Sequence, residues 1–347
     1  MGEWRVQYDP AMCPPAETQL RTQHEMVHFL ERDPLCATEL RLVKSFSRSA
    51  AGQKQNDPRN LRSPGVCLNA TQYLIQDLWP RILYNHVSPF DKVRYHFIFD
   101  RLRAIRQDLV VQSVRSPILL AVLEICVRFH LLASHQLCHL DPGDFDHHIN
   151  FSHCLGCLQD VLVLQEELAI DHPNRAEMTA LFILANPGSP DALDWAVRLP
   201  ASIRKLEIVH RSLRLAGQLE QGNWVGALKL MRTLPILHQL AVFQQWHKIV
   251  RHGLDVINQG FGSKTCRFPI ATLNGWLNLD PGPPSTLIQI LLHLGIPLDE
   301  SRGYVHFRKQ TSISSEKTIR LKPLPMISNN LKSINLKSFI LQRSAVM

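Results

Sequence analysis

Cysteine is scarce in this sequence, with eight residues in a chain of 347, which fits reduced thiols better than a disulfide framework. Long apolar runs are also lacking: the longest such stretch, residues 118–133, is interrupted by Glu124 and Arg128. Residues 1–5 lack the apolar run of a signal peptide. We therefore expect neither a secreted nor a membrane-spanning protein. A cytoplasmic location is predicted, with the nucleus as an open alternative.

Acidic residues are fewer than basic ones: the chain has 30 Asp and Glu against 38 Lys and Arg, which gives a net charge of +8. Six of the cations, against one acid, lie in residues 311–347. A cationic end favours contact with a polyanion such as nucleic acid or an acidic protein surface. The alternative is a solvated end that only keeps the protein soluble. The apolar content of 45% is enough for a full core, so the chain is expected to be globular.

Turn-forming residues divide the first half of the chain into helical stretches. Helices are predicted at residues 16–32, 66–83, 88–114 and 117–136, with an extended basic loop at residues 45–65. Beyond residue 141, Pro, Gly and Asn separate short helical units of helix-pair size. Stacked helix pairs suggest an α-solenoid, although no strict repeat period is present.

The sequence pattern changes near residue 261. Residues 270–277 and 285–294 are predicted to be short helices, and residues 301–303 to be the turn of a β-hairpin. Two helices followed by a hairpin are typical of a winged helix. The predicted regions are an N-terminal helix with a basic segment (1–65), a helical domain (66–260), a winged-helix-like subdomain (261–310) and a basic disordered tail (311–347).

The most specific catalytic pattern is His24-Glu25-Met26-Val27-His28. Two histidines one helical turn apart can share a Zn²⁺ ion while the glutamate activates its bound water, as in metallopeptidases. Only 23 residues precede His24, too few for the sheet that such helices pack against, and no third ligand follows at a useful spacing. Histidines on the solvated side of a helix are the favoured interpretation.

A second candidate metal site is Cys154-Leu-Gly-Cys157, which has several histidines nearby. Cys154 and Cys157 fall on an apolar face at helical spacing, where cysteine behaves as a small hydrophobic residue. We therefore predict that both cysteines pack in the core and that the chain binds no metal or cofactor. The segment 260–265 superficially resembles a phosphate loop, but its lysine is wrongly spaced, so we interpret it as an interdomain turn.

Four segments, in the expected order, resemble the Sac/GANP family, the suppressor-of-actin and germinal-centre-associated nuclear protein group. They are residues 12–17 with Arg21, residues 43–52, residues 61–74, and residues 97–112, which contain Asp-Arg-Leu-Arg-Ala-Ile-Arg-Gln-Asp-Leu. The second and fourth segments are long and unusual enough to be specific. The resemblance continues more weakly to about Lys309.

The resemblance implies a mainly α fold, in which a PCI-like helical solenoid is capped by a small winged-helix subdomain. It also implies a non-enzymatic scaffold without a small-molecule substrate, whose partner is a PCI-domain protein. Short members of the family are associated with the centrosome, the spindle and mitotic progression. Long members couple transcription to nuclear mRNA export, so an RNA-binding export adaptor is the alternative function.

Under either function, basic side chains in the loop, in the charged face of residues 97–109 and in the wing are the candidate contacts to a partner or to RNA. Alone, the first two features would be interpreted as solvated surface. No aromatic residues alternate with the basic ones, so we expect little RNA sequence preference. The candidate binding residues are Lys44, Arg48, Arg59, Arg62, Arg101, Arg103, Arg106, Arg308 and Lys309.

Overall fold

The computed structural model describes residues 9–32, 39–48, 57–78, 92–169, 172–277, 284–299, 301–308, 319 and 322–341. These residues are mainly helical, which confirms the predicted class. The helices are α1 Pro15–Gln23, α2 Pro64–Tyr73, α3 Lys92–Val111, α4 Pro117–Leu137, α5 His147–Leu168, α6 Arg175–Ala185, α7 Pro190–Arg198, α8 Ala201–Arg204, α9 Glu207–Glu220, α10 Trp224–Arg232, α11 Ile236–Phe243, α12 Trp246–Phe261, α13 Ile270–Leu277, α14 Ser285–Leu294, α15 Pro325–Lys332 and α16 Leu336–Leu341.

The chain divides into two compact units. Unit 1 comprises Met1–Ala133, Gly156–Pro173 and Asn335–Met347, and unit 2 comprises Ser134–Leu155 and Asn174–Ile334. These boundaries were not predicted, because segments distant in sequence contribute to each unit.

Helix α4 is a core helix. It is long and apolar enough to span a membrane, but 89% of its most apolar window is buried within the protein. Glu124 and Arg128, which interrupt its apolar run, have fully buried side chains that approach to 3.7 Å. Glu124 also lies 3.3 Å from the imidazole of His172. The two charges in this helix therefore pair inside unit 1, since an unpaired buried charge would be costly.

The first predicted helix is too long, because α1 ends at Gln23 rather than near residue 32. The amide of Met26 donates to the carbonyl of Arg21 at 2.8 Å, and the amide of Glu25 donates to that of Thr22 at 3.4 Å. Glu25 has a φ of 55°. This is a Schellman ending built on a glutamate instead of the usual glycine, so the sequence carries no obvious stop signal.

Helix packing in unit 2 depends on small residues and on side-chain caps. Ser189 caps α7 and Asn223 caps α10, each through a side-chain oxygen that accepts a backbone amide. A Cβ atom at Gly253 would lie 2.9 Å from the indole of Trp224, so glycine lets α12 approach α10 closely. The core shared by α6, α7 and α9 includes Ala180, Ile183, Ala196 and Val209.

The second half of unit 2 carries a small antiparallel sheet. Its strands are β1 Phe268–Pro269, β2 Leu298–Asp299 and β3 Tyr304–Val305, in the order β1-β3-β2. Val305 pairs with Phe268 on one side and Leu298 on the other. The two helices and the hairpin predicted here are confirmed, with α13 and α14 at the predicted bounds.

The prediction of a disordered tail after residue 310 is wrong for the part that the structure describes. Helix α15 buries Ile327 and Leu331, and helix α16 buries Phe339 and Ile340. Within unit 1, α16 packs against the π-helical turn Leu74–Leu78. These helices are short, so their stability comes from burying one apolar face rather than from helix propensity.

Candidate functional site

A buried carboxylate on α3 holds the basic loop. Asp108 accepts hydrogen bonds from Lys44 Nζ at 2.5 Å and from Arg62 Nε at 2.7 Å. The side chains of Asp108 and Arg62 are each 1% exposed. Lys44 Nζ also donates to the carbonyl of Asn60 at 2.6 Å. Lys44 and Arg62, at the two ends of the predicted loop, are thus held against α3 by paired charges in a region of low dielectric constant.

A second buried carboxylate, Glu31, lies between α1 and α3. Its side chain is fully buried and bonds both Arg21 and Arg101, the latter at 3.3 Å. The amides of Val43 and His28 also donate to it, at 3.1 and 3.2 Å. One carboxylate therefore satisfies two cations and two backbone amides, as a buried acidic group requires.

Between these two carboxylates the chain runs along α3. The amide of Ser45 donates to Glu17 at 2.8 Å, and the amide of Phe46 donates to Asp100 at 3.1 Å. Gln107 on α3 donates to the carbonyl of Ser47 at 2.9 Å. We call residues 41–48 the strap, because several of their backbone groups are hydrogen-bonded to side chains of α1 and α3.

Four predicted contact residues are therefore used inside the protein. Lys44 and Arg62 bond Asp108, Arg101 bonds Glu31 and Asp100, and Arg106 donates to the sulfur of Cys157 at 2.9 Å. Each of these guanidinium or ammonium groups has an internal acceptor, and a contact of these four residues with a partner or with RNA stays a prediction. The charged face of α3 is largely an internal surface.

Three of the predicted cations remain at the surface of unit 1. Arg48 is exposed, and Arg59 is exposed and paired with Asp57 at 2.8 Å. The Arg103 guanidinium is half-buried, 3.9 Å from the ring centre of Phe46 and 5.6 Å from that of Phe99. Burial lowers the pKa of Arg103, as do the positive charges of Arg106 and Arg48. Arg48 and Arg103 thus form a locally cationic patch beside an aromatic ring.

Of the two cations predicted for the wing, the hairpin of β2 and β3 with the residues that follow it, only Arg308 lies among the described residues. Arg308 is exposed and directly follows the buried Phe307, whose carbonyl accepts the amide of Ser263 at 3.1 Å. The predicted Lys309 lies outside the described residues. The Arg308 side chain is therefore available at the edge of a fixed backbone.

The geometry that the zinc alternative requires is not formed. His24 ends α1, while His28 lies beyond the turn and its Nδ1 accepts the amide of Leu30 at 3.3 Å. The His28 ring stacks on Phe97 with a centroid distance of 4.6 Å. Among the residues that the structure describes, no three His, Cys, Asp or Glu side chains come together as metal ligands. Cys154 and Cys157 are fully buried, as their apolar face predicts.

An apolar groove of about 740 Å³ lies beside α1 and α3, and it was not predicted. Leu20, Met26 and Val93 line it and are 53, 62 and 41% exposed. The groove escapes sequence reasoning because Met26 and Val27, which help to line it, follow the end of α1 that the sequence did not predict. Glu31 and Asp108 were also missed, because nothing in a sequence distinguishes a carboxylate that holds two buried cations from a solvated one.

The described residues form a mainly helical protein in which two buried carboxylates, Asp108 and Glu31, hold neighbouring segments on α3. Residues 12–300 match the model of the SAC3/GANP family. The chain belongs to this family.

Three relatives show the extent of the similarity. The chain is 28% identical over 232 residues to Protein xmas of Drosophila melanogaster. The aligned region covers 63% of this chain and 11% of that protein. It is 26% identical over 298 residues to SAC3 family protein 1 of Schizosaccharomyces pombe, with coverages of 78% and 28%. It is 23% identical over 300 residues to SAC3 family protein B of Arabidopsis thaliana, with coverages of 81% and 17%. The chain spans less than a third of the length of each relative.

Proposed function

We propose that this protein is a non-enzymatic scaffold that binds other proteins through its helical units. The observation that carries the proposal is the internal use of Lys44, Arg62 and Arg101 by two buried carboxylates. These charges fix the strap on α3 and so shape the surface of this unit. Membership of the SAC3/GANP family supports the same role.

The helical part is proposed to be PCI-like, and the segment from β1 to β3 to be a winged helix. The order of strand, two helices and hairpin, with β3 in the centre of the sheet, supports this assignment. We propose that the wing, with Arg308 at its edge, contacts a PCI-domain partner. The proposed location is the cytoplasm, at the centrosome and the mitotic spindle. There the scaffold would act in centrosome duplication and mitotic progression.

The proposal is tested by purifying the tagged full chain from interphase and mitotic cells, with washes at low and high salt. Partners are identified by mass spectrometry for the natural chain and for Arg308→Glu combined with Lys309→Glu. The control is Lys229→Glu, which replaces an exposed side chain on α10. A PCI-domain protein that survives high salt and is lost only from the wing variant supports the proposal. Recovery of no such protein, or equal recovery from both variants, overturns the assigned wing contact.

A second candidate function is the RNA-binding adaptor in mRNA export. It is favoured by the cationic patch of Arg48 and Arg103, in which an arginine stacks on Phe46. For single-stranded RNA, each neutralised phosphate contributes roughly −0.7 to the slope of log K against log salt. Replacing both arginines with alanine should make the slope less negative by about 1.4. An unchanged slope, or no RNA binding at low salt, counts against this function.

A further inference from the structure

Three helices of unit 1 bring an arginine and two cysteines together. Arg106 on α3 donates from Nη1 to Cys157 Sγ on α5 at 2.9 Å. The thiol of Cys126 on α4 is a further hydrogen-bond partner of Cys157. Both cysteine side chains are fully buried, whereas Arg106 is half-buried and Asp160, on the next turn of α5, is exposed. The two buried sulfurs therefore have a half-buried and an exposed charged residue near them.

The charges around Cys157 favour its thiolate. The hydrogen bond from Cys126 and the positive charge of Arg106 lower the pKa of Cys157 to about 7, against the opposing effects of burial and of Asp160. Elsewhere in the same unit, burial raises the pKa of Cys13 and of Cys67 to about 11. Since the thiolate is the nucleophilic form of cysteine, Cys157 is distinguished from these thiols at neutral pH.

We propose that Cys157 and Cys126 form a hydroperoxide-sensitive thiol pair that closes a disulfide between α5 and α4. The Cys157 thiolate attacks one oxygen of hydrogen peroxide, which breaks the O–O bond and leaves a sulfenic acid and a hydroxide ion. The Cys126 sulfur then attacks the sulfenic sulfur; its proton and the departing hydroxyl leave as water. In total, two thiols and one peroxide give one disulfide and two water molecules.

Two features of the site suit this reaction. Cys126 is a hydrogen-bond partner of Cys157, and a disulfide requires the two sulfurs to approach to about 2.05 Å. The Arg106 side chain, which contacts Cys157, is half-buried and so reaches toward the solvent from the thiol pair. Closure also removes the negative charge from Cys157 and leaves the Arg106 guanidinium without its thiolate.

The test exposes the full chain to hydrogen peroxide at pH 7, blocks the remaining thiols, digests the protein and identifies cross-linked peptides without reduction. A linked peptide containing Cys126 and Cys157 should appear well before any modification of Cys67. In Cys126→Ser, a sulfenic acid should instead accumulate on Cys157 and be trapped by dimedone. In Cys67→Ser, the matched control, the linked peptide should form at the natural rate.

The role of the arginine is tested with Arg106→Gln. Loss of the positive charge of Arg106 should raise the pKa of Cys157, so the thiolate fraction at pH 7 falls and the reaction should slow several-fold. If this variant does not fold, judged by its circular dichroism, the pH profile of the natural chain replaces it and should show an apparent pKa near 7. The absence of the linked peptide, an unchanged rate in folded Arg106→Gln, or a profile centred near 9 overturns the proposal.

Discussion

At the scale of single residues, Asp108 is the side chain on which the N-terminal fold depends. Asp108→Asn removes the charge that faces Lys44 at 2.5 Å and Arg62 at 2.7 Å and leaves both cations buried. Breaking a buried pair in this way costs on the order of 3–5 kcal/mol in the free energy of unfolding. We expect a loss of this size in urea denaturation followed by circular dichroism.

The matched control is Asp57→Asn, which alters an ion pair with an arginine whose side chain is 89% exposed. A solvated pair contributes little, and asparagine can still cap the turn through its side-chain oxygen. The urea midpoint of this variant should therefore stay at the natural value. Equal loss in Asp57→Asn and Asp108→Asn would refute the special role of the buried carboxylate.

The sequence predicted where cations are concentrated but not which of them are buried. Arg62 and Asp108 are 46 residues apart, and Glu31 and Arg101 are 70 residues apart. Pairing over such separations depends on how α3 is placed against the strap, and no local pattern encodes it. The core assignment of Cys154 and Cys157 succeeded because it rests on helical spacing alone.

At the scale of elements, the strap should be the part of unit 1 that responds to loss of Glu31. Glu31→Gln keeps the side-chain volume but removes the charge shared by Arg21 and Arg101. We expect the amide of Val43, which donates to Glu31 at 3.1 Å, to exchange its hydrogen faster. Hydrogen exchange with mass spectrometry should show this change at residues 41–48 and little change in α10. A uniform increase in hydrogen exchange throughout both units would contradict the view that Glu31 holds only the strap in place.

The C-terminal helix α16 offers a second prediction at this scale. Ile340→Ala removes a fully buried side chain from the helix that packs on Leu74–Leu78. Replacing a buried isoleucine by alanine costs about 2–5 kcal/mol, so the urea midpoint should fall clearly. The exposed Ser338→Ala on the same helix is the control and should leave the midpoint unchanged. An unaffected midpoint in Ile340→Ala would show that α16 contributes no stability.

Prediction of elements succeeded where local signals are strong. Helices α13 and α14 and the hairpin are bounded by Pro and Gly residues, so their limits could be deduced from the sequence. The end of α1 was missed because a non-glycine residue, Glu25, adopts the left-handed conformation. Helices α15 and α16 were missed because they are only 8 and 6 residues long, too short for a periodic apolar pattern, and are stabilised only after packing.

At the scale of the whole molecule, buried histidines should make the folding stability of unit 2 sensitive to acid. Burial lowers the pKa of His135, of His238 and of His247 to about 4, and all three belong to this unit. The neutral ring of His135 accepts the amide of Leu324 at 3.0 Å, which ties the residue before α15 to the unit. His238 lies near the positive charge of Arg211, which disfavours its protonation further.

The direction of the effect follows from proton linkage. Between pH 6.5 and about 4 the unfolded chain binds protons on these histidines while the folded chain does not. The stabilisation is therefore complete above pH 6.5 and is lost as the pH falls to about 4, by on the order of 3 kcal/mol for each fully buried ring. His238→Gln removes one such ring and should reduce the loss over this range by the same amount.

Urea unfolding at several pH values measures this difference, and tryptophan fluorescence is a suitable signal because Trp195, Trp224, Trp246 and Trp276 all lie in unit 2. The exposed His210→Gln on α9 is the control and should follow the natural pH dependence. Parallel curves for His238→Gln and the natural chain would show that His238 titrates alike in both states. A curve that flattens only for His238→Gln would mean that burial of uncharged imidazole rings makes unit 2 more stable at neutral pH than in mild acid.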